Sequence, residues 1–210
     1  MPAALTLQSL PLFPLSTVLF PGGVLPLRIF EVRYLDMIGK CHKAGAPFGV
    51  VSLTHGSEVR QPGASEVFAD VGTLATISEY DSPRPGLMTV RASGSQRFRI
   101  TSRDRLKHGL WIADVQALPP DVDVEIPPDL QVAATALRQL IQSLQQRSGG
   151  SEPLPLLEPW RLNDCGWVAN RWCELLPLPV ALKQRLMELD NPLVRLELVS
   201  DVLAKTGIAT

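Results

Sequence analysis

Prolines and glycines cut the most apolar stretch of this chain into short pieces, and that punctuation decides what it can become. Residues 10–35 read LPLFPLSTVLFPGGVLPLRIFEVRYL, with Pro11, Pro14, Pro21, Gly22, Gly23 and Pro26 inside the run. Proline lacks the N–H that a helix interior uses and collides with the preceding turn, so this block cannot form one continuous helix. Short strands joined by turns can accept prolines at starts, edges and bends. The same breaks leave no run of roughly 18 apolar residues, the length a membrane-spanning helix needs. The first basic residue is Arg28, so the charged start of a secretory signal is missing too. The reading is a protein of the cytoplasm, with no membrane partner.

The rest of the first half keeps the strand period. Strands are expected at residues 15–20 and 24–29 around the Pro21-Gly22-Gly23 turn, and at 47–54, 71–80, 87–92, 96–103 and 110–117. The DSPRPG segment at 81–86 reads as a loop. One helix is expected at 31–43, where Tyr34, Leu35 and Ile38 fall at helical spacing. Closely spaced short strands of this kind suggest a small barrel or sandwich spanning residues 1–118.

After Leu118 the pattern changes. Pro119, Pro120, Pro127 and Pro128 enclose an acidic stretch, and 119–127 reads as a stiff, extended linker. From 128 to 210 the period is helical. Leu130, Ala133, Ala134, Leu137, Leu140, Ile141 and Leu144 form one stripe, and Ser148-Gly149-Gly150-Ser151 ends it in a proline-rich loop running to 158. Pro159 is placed at the start of a second helix with Leu162, Cys165, Ala169, Trp172 and Leu176 as its stripe. Pro179 opens a third, and Asn191-Pro192 gives a fourth its N-cap and first position. The fold class expected from spacing is α+β, a β part followed by four packed helices.

Six blocks in order carry a family resemblance: LPLFPL at 10–15, LFPGGVLPLRIFEVRYLDMI at 19–38, GTLATI at 72–77, GSQRFRI at 94–100, WIADV at 111–115 and LPLPVALKQRLMELDNPLVRLELV at 176–199. Together they resemble the N-terminal domain of Lon protease, the part associated with gripping polypeptide substrates. The resemblance implies a PUA-like β pseudobarrel with one inserted helix, followed by a C-terminal four-helix bundle. Lon carries an ATPase and a Ser-Lys peptidase after this domain. This sequence stops at Thr210 and contains no GxxxxGK[ST] phosphate loop. The expectation is therefore a stand-alone, non-catalytic polypeptide-binding module, an adaptor or regulator in protein quality control. Its partners would be unfolded or extended polypeptide segments, and Lon itself or another protease. No cofactor is expected.

Each candidate chemistry competes with a plainer role. Cys41, Cys165 and Cys173 cannot all pair within one chain, and they read as apolar fillers in a reducing compartment. A Cys41 nucleophile with a distant histidine would make a small hydrolase; a buried structural thiol is favoured. Glu31, Asp36, Arg28 and Arg33 read as a strand end and a helix start rather than a catalytic cluster. Arg97, Arg99, Arg103 and Arg105 form a basic tract, and RNA binding by the β part is the alternative function. The formal net charge of −1 and the lack of interleaved aromatic residues argue against nucleic acid as a partner. For polypeptide binding the candidates are Phe30, Arg33, Tyr34, Trp111, Trp160 and Trp167, aromatic and cationic residues able to line a partly open apolar cleft between the two parts.

Overall fold

Alternation of apolar side chains along the first strands sends them into two separate cores, and this governs the architecture of the N-terminal half. The computed structural model describes residues 5–58, 65–148 and 154–208. Strand β1 (Thr6–Leu15) directs Leu10 and Leu12 into one apolar cluster and Phe13 and Leu15 into another. The two-residue repeat of a strand places neighbours on opposite faces.

Strand β2 (Val24–Ile29) leads into helix α1 (Val32–Ala44). Then come β3 (Phe48–His55), β4 (Val67–Phe68), β5 (Val71–Arg84), β6 (Leu87–Arg105) and β7 (Trp111–Ala117). The pairing path runs β1-β7-β6-β5-β3, and β3 pairs in parallel with β1, so the path returns to its start. Two strands hang off it. Strand β4 pairs with β3, and β2 pairs with the first part of β6.

Three expectations are corrected. The first strand lies at 6–15 rather than 15–20. Its polar opening residues are held by pairing with β7 (Thr6 opposite Gln116, Leu7 opposite Val115), which hydrophobicity cannot reveal. Val18, Leu19 and Phe20 are buried on irregular backbone, and Thr73 Oγ1 donates to the Leu19 carbonyl at 2.6 Å. The 81–86 loop contracts to Pro85-Gly86, with Gly86 at φ +79°, so β5 and β6 continue to Arg84 and Leu87. The strands expected at 87–92 and 96–103 are one. Gly94 interrupts nothing; it lets the Phe20 carbonyl approach so closely that a Cβ would lie 2.4 Å from it.

The chain divides into two compact units, Met1–Pro120 and Asp121–Thr210. The stretch read as a linker therefore belongs largely to the second unit. Its backbone is extended, as proline dictates, but Ile126 N–H donates to the Asn163 carbonyl at 3.1 Å and Cys165 N–H to the Val124 carbonyl at 2.9 Å, with the Ile126 side chain buried.

In this unit α2 (Gln131–Ser148) buries Ala133, Ala134, Leu137 and Ile141. Helix α3 (Cys165–Leu175) is buried along most of its length. It starts later than expected because Asp164, not Pro159, caps it: the Asp164 carboxylate accepts the Trp167 N–H at 2.6 Å. Helices α4 (Val180–Glu188) and α5 (Pro192–Thr206) follow. Asn191 caps α5 by accepting from Leu193 N–H and Val194 N–H, as its position before Pro192 foretells. The buried Arg195 guanidinium donates to Asp121, Asn170 and the Leu186 carbonyl, tying α3, α5 and the extended segment together. The proline-rich 149–158 loop lies partly outside the described residues. Among the described residues no helix is long and apolar enough to cross a membrane. The chain is α+β.

Candidate functional site

The first unit contains an apolar recess of about 270 Å³ beside β2 and the start of α1. Its inner wall is formed by Phe13, Leu15 and Tyr34, its side by β2 from Leu25 onward, and its rim by Thr17, Glu31 and Glu58. The wall is held firmly. The Tyr34 ring stacks on Phe13 with centroids 4.1 Å apart, and Phe13 tilts against Phe48 at 6.4 Å. Burial pushes the Tyr34 phenol above its ordinary value, so it stays neutral. At the mouth, Phe30 is 58% exposed, and, two residues on, Val32, the first residue of α1, is 72% exposed. A large apolar side chain left in water at the mouth of an apolar hollow marks a contact surface.

Next to the recess lies a buried polar network. Arg33 is only 5% exposed although it is charged. Its guanidinium donates to Glu31 Oε2 at 3.0 Å, to Glu66 Oε1 at 2.9 Å and to the Gly109 carbonyl at 2.9 Å, and it lies 4.5 Å from the Tyr34 ring centre. Glu66 Oε2 also accepts from Trp111 Nε1 at 2.7 Å. Burial raises the Glu66 carboxyl, but the hydrogen bonds from Arg33 and Trp111 outweigh it and hold the group below the ordinary glutamate value. This arrangement fixes the α1 start against the loop before β4 and the β6–β7 turn. It is scaffolding for the recess.

The sequence candidates thus separate. Phe30 and Tyr34 border the recess. Arg33 and Trp111 meet through Glu66, with Arg33 turned inward and Trp111 half-buried against Phe68. Trp160 and Trp167 belong to the second unit. Trp160 is half-buried and borders a shallow depression with Arg138, Arg161 and Asp123. The half-buried Trp167 ring lies 5.7 Å from the Arg171 guanidinium.

The basic tract does not form one open face. Arg97 is buried and donates to the Pro119 carbonyl, Arg103 pairs with Asp70, and Arg105 lies over the Trp111 ring; Arg99 is exposed. Cys41 packs in the core with its Sγ 3.9 Å from the Pro47 carbonyl, and burial pushes its thiol up. A nucleophilic cysteine needs the opposite shift.

Sequence reasoning did not single out Phe13, Leu15, Leu25 and Leu27 as recess residues, because apolar strand positions read equally well as core. Nor did it find Glu66. Its partner Arg33 is 33 positions away, and no periodicity links the two.

Comparison with known proteins places the chain in a family. The model for the ATP-dependent protease La (LON) substrate-binding domain matches residues 9–205. A crystal structure of a Lon N-terminal domain protein from Xanthomonas campestris superposes with a TM-score of 0.71 at 32% identity, covering 93% of this chain and 98% of that one. The N-terminal domain of the Mycobacterium avium complex Lon protease gives a TM-score of 0.58 at 18% identity, a likeness of fold alone. Lon protease 2 of Herpetosiphon aurantiacus is 29% identical over 97% of this chain, and protein cereblon of Danio rerio is 32% identical over 54% of it. The chain spans about a quarter of the length of these curated relatives (24% and 26%).

Proposed function

The chain belongs to the Lon substrate-binding domain family, and from that premise we propose that it is a polypeptide-binding module whose contact site is the recess beside β2. The observation that carries this reading is the pairing of a preformed apolar hollow with the exposed Phe30 at its mouth. Binding would be non-covalent. An unfolded or extended client offers apolar side chains that a folded protein hides. Withdrawing one Leu or Phe side chain from water contributes about 1.5–3 kcal/mol. Ordering the client offsets much of that gain, so affinity for any one segment would be modest and exchange fast. Such a module fits an adaptor or regulator that presents clients to Lon or another protease. The finer architectural reading, a PUA-like pseudobarrel followed by a helical bundle, is supported by the sheet path that returns from β3 to β1 and by the four α-helices of the second unit.

The test compares a reduced, carboxymethylated model protein with its folded form in a fluorescence-anisotropy titration. The expected result is binding of the unfolded form only, weakened about tenfold or more by Phe30→Asp, which loses an apolar contact and adds a charge at the mouth. Equal binding of both forms, or of neither, overturns the reading.

A further inference from the structure

The recess meets its two bordering segments in different ways. Phe13, Leu15 and Thr17 reach it as alternate residues, whereas Leu25 through Glu31 reach it one after another. A groove on the face of a strand touches every second residue, because successive side chains point to opposite faces. A groove touched by every residue runs along the strand's edge. That edge is open: β2 pairs with β6 on one side, and no other described strand pairs with it. Pro26, which has no N–H, sits inside β2 opposite Arg91. Proline is accommodated in strands where its missing donor faces away from the ladder. This places the backbone of Val24, Pro26 and Arg28 on the open edge.

Charge supplies a second constraint. Both rim carboxylates are engaged, Glu31 by Arg33 at 3.0 Å and Glu58 by the Ser16 N–H at 2.5 Å. Arg28 is exposed, and its guanidinium has no ion-pair partner among the described residues. The Ser16 N–H leaves the charge of Glu58 in place at the rim, whereas the one charge carried by β2 itself, on the face it exposes, is positive. Within β2, Leu25, Leu27 and Ile29 turn toward the core cluster while Pro26 and Arg28 are exposed.

Building on the polypeptide-binding reading above, we propose that the client segment enters the recess as an added β-strand along the free edge of β2. The favoured segment carries an acidic residue opposite Arg28, flanked on both sides by apolar residues. Opposed residues of paired strands project from the same face. The acid therefore meets Arg28 on the outer face, and its neighbours enter the hollow beside Leu27 and Ile29. Main-chain pairing supplies affinity, and the alternating pockets supply selectivity.

The probe is a fluorescein-labelled ten-residue peptide alternating Leu or Val with Thr, with one central Asp in place of a Thr, titrated against the full chain. Two further peptides carry N-methyl groups on alternate amides, one in each register. Strand addition predicts that one register loses about tenfold in affinity while the other stays within about twofold, since only every second amide faces β2. Replacing the Asp by Lys weakens binding by about two- to fivefold, and Arg28→Glu reverses that order. If both registers respond alike while Phe30→Asp still weakens binding, the strand mode is overturned and the polypeptide-binding reading stands. Binding of the unfolded protein without binding of the peptide has the same consequence. Equal affinity for the Asp and Lys peptides overturns the acidic preference. Failure of both peptide and unfolded protein to bind removes both readings.

Discussion

Glu66 shows how a single carboxylate can organise a site it does not line. It satisfies a guanidinium with almost no access to water and an indole N–H at once. Removing that charge leaves Arg33 with Glu31 as its one remaining carboxylate partner among the described residues, at a cost of about 1–3 kcal/mol. Glu66→Gln is therefore expected to lower the urea midpoint by a corresponding amount, although Glu66 does not border the recess. The pH dependence follows from its depressed carboxyl. A group whose folded value lies below its unfolded value, about 4.3 for glutamate, contributes its full stability above that pH. The contribution is lost as pH falls through the folded value. Unfolding free energy should thus fall more steeply below about pH 4 in the parent than in Glu66→Gln; parallel acid limbs in urea titrations would exclude this role. Arg33 could not be placed from sequence for the same reason. An arginine in an amphipathic helix is expected in water, and only knowledge of a partner 33 positions away turns it inward.

Among the elements, the long β5–β6 hairpin depends on two glycines for opposite reasons. At Gly72 a Cβ would lie 2.4 Å from the Val50 carbonyl and 2.7 Å from the Phe98 ring, both packed inside the sheet. At Gly86 nothing lies within 4 Å, and only the φ of +79° excludes other residues. Gly72→Ala should cost about 2–3 kcal/mol through overpacking, and Gly86→Ala about 1 kcal/mol through left-handed strain. Thermal melts that rank the two variants the other way would refute this account. Much of the hairpin was visible in the sequence. Alternation marked 71–80, and DSPRPG at 81–86 marked a turn, though drawn wider than the Pro85-Gly86 pair that makes it. The length of β6 was not visible, because a glycine within a strand and a glycine ending one look alike until the neighbouring backbone is known. Asn191 before Pro192 was legible since cap chemistry is local. The start of α3 was misread because Pro159 carries the stronger textual signal, while Asp164 does the capping.

Across the whole molecule, all three thiols are buried, in both units. Burial pushes each of them up, Cys173 to about 12. The native protein should react negligibly with Ellman's reagent at pH 8 over minutes and should yield three thiols per chain in denaturant. A fast-reacting native thiol would mean that one of these cores opens readily. The uncovered side of β2 carries a different liability at this scale. Hydrogen-bonding groups left bare beside a greasy hollow can serve as a template for copies of the same protein, which then stack into polymers. Pro26 removes one donor from that template, and Arg28 sets like charges against each other whenever two such margins meet. Pro26→Val is expected to raise light scattering with concentration, and identical scattering from parent and variant would show that this margin is guarded by other means. The features that would suit the protein to visiting chains would then also keep it from crystallising its own kind into fibres.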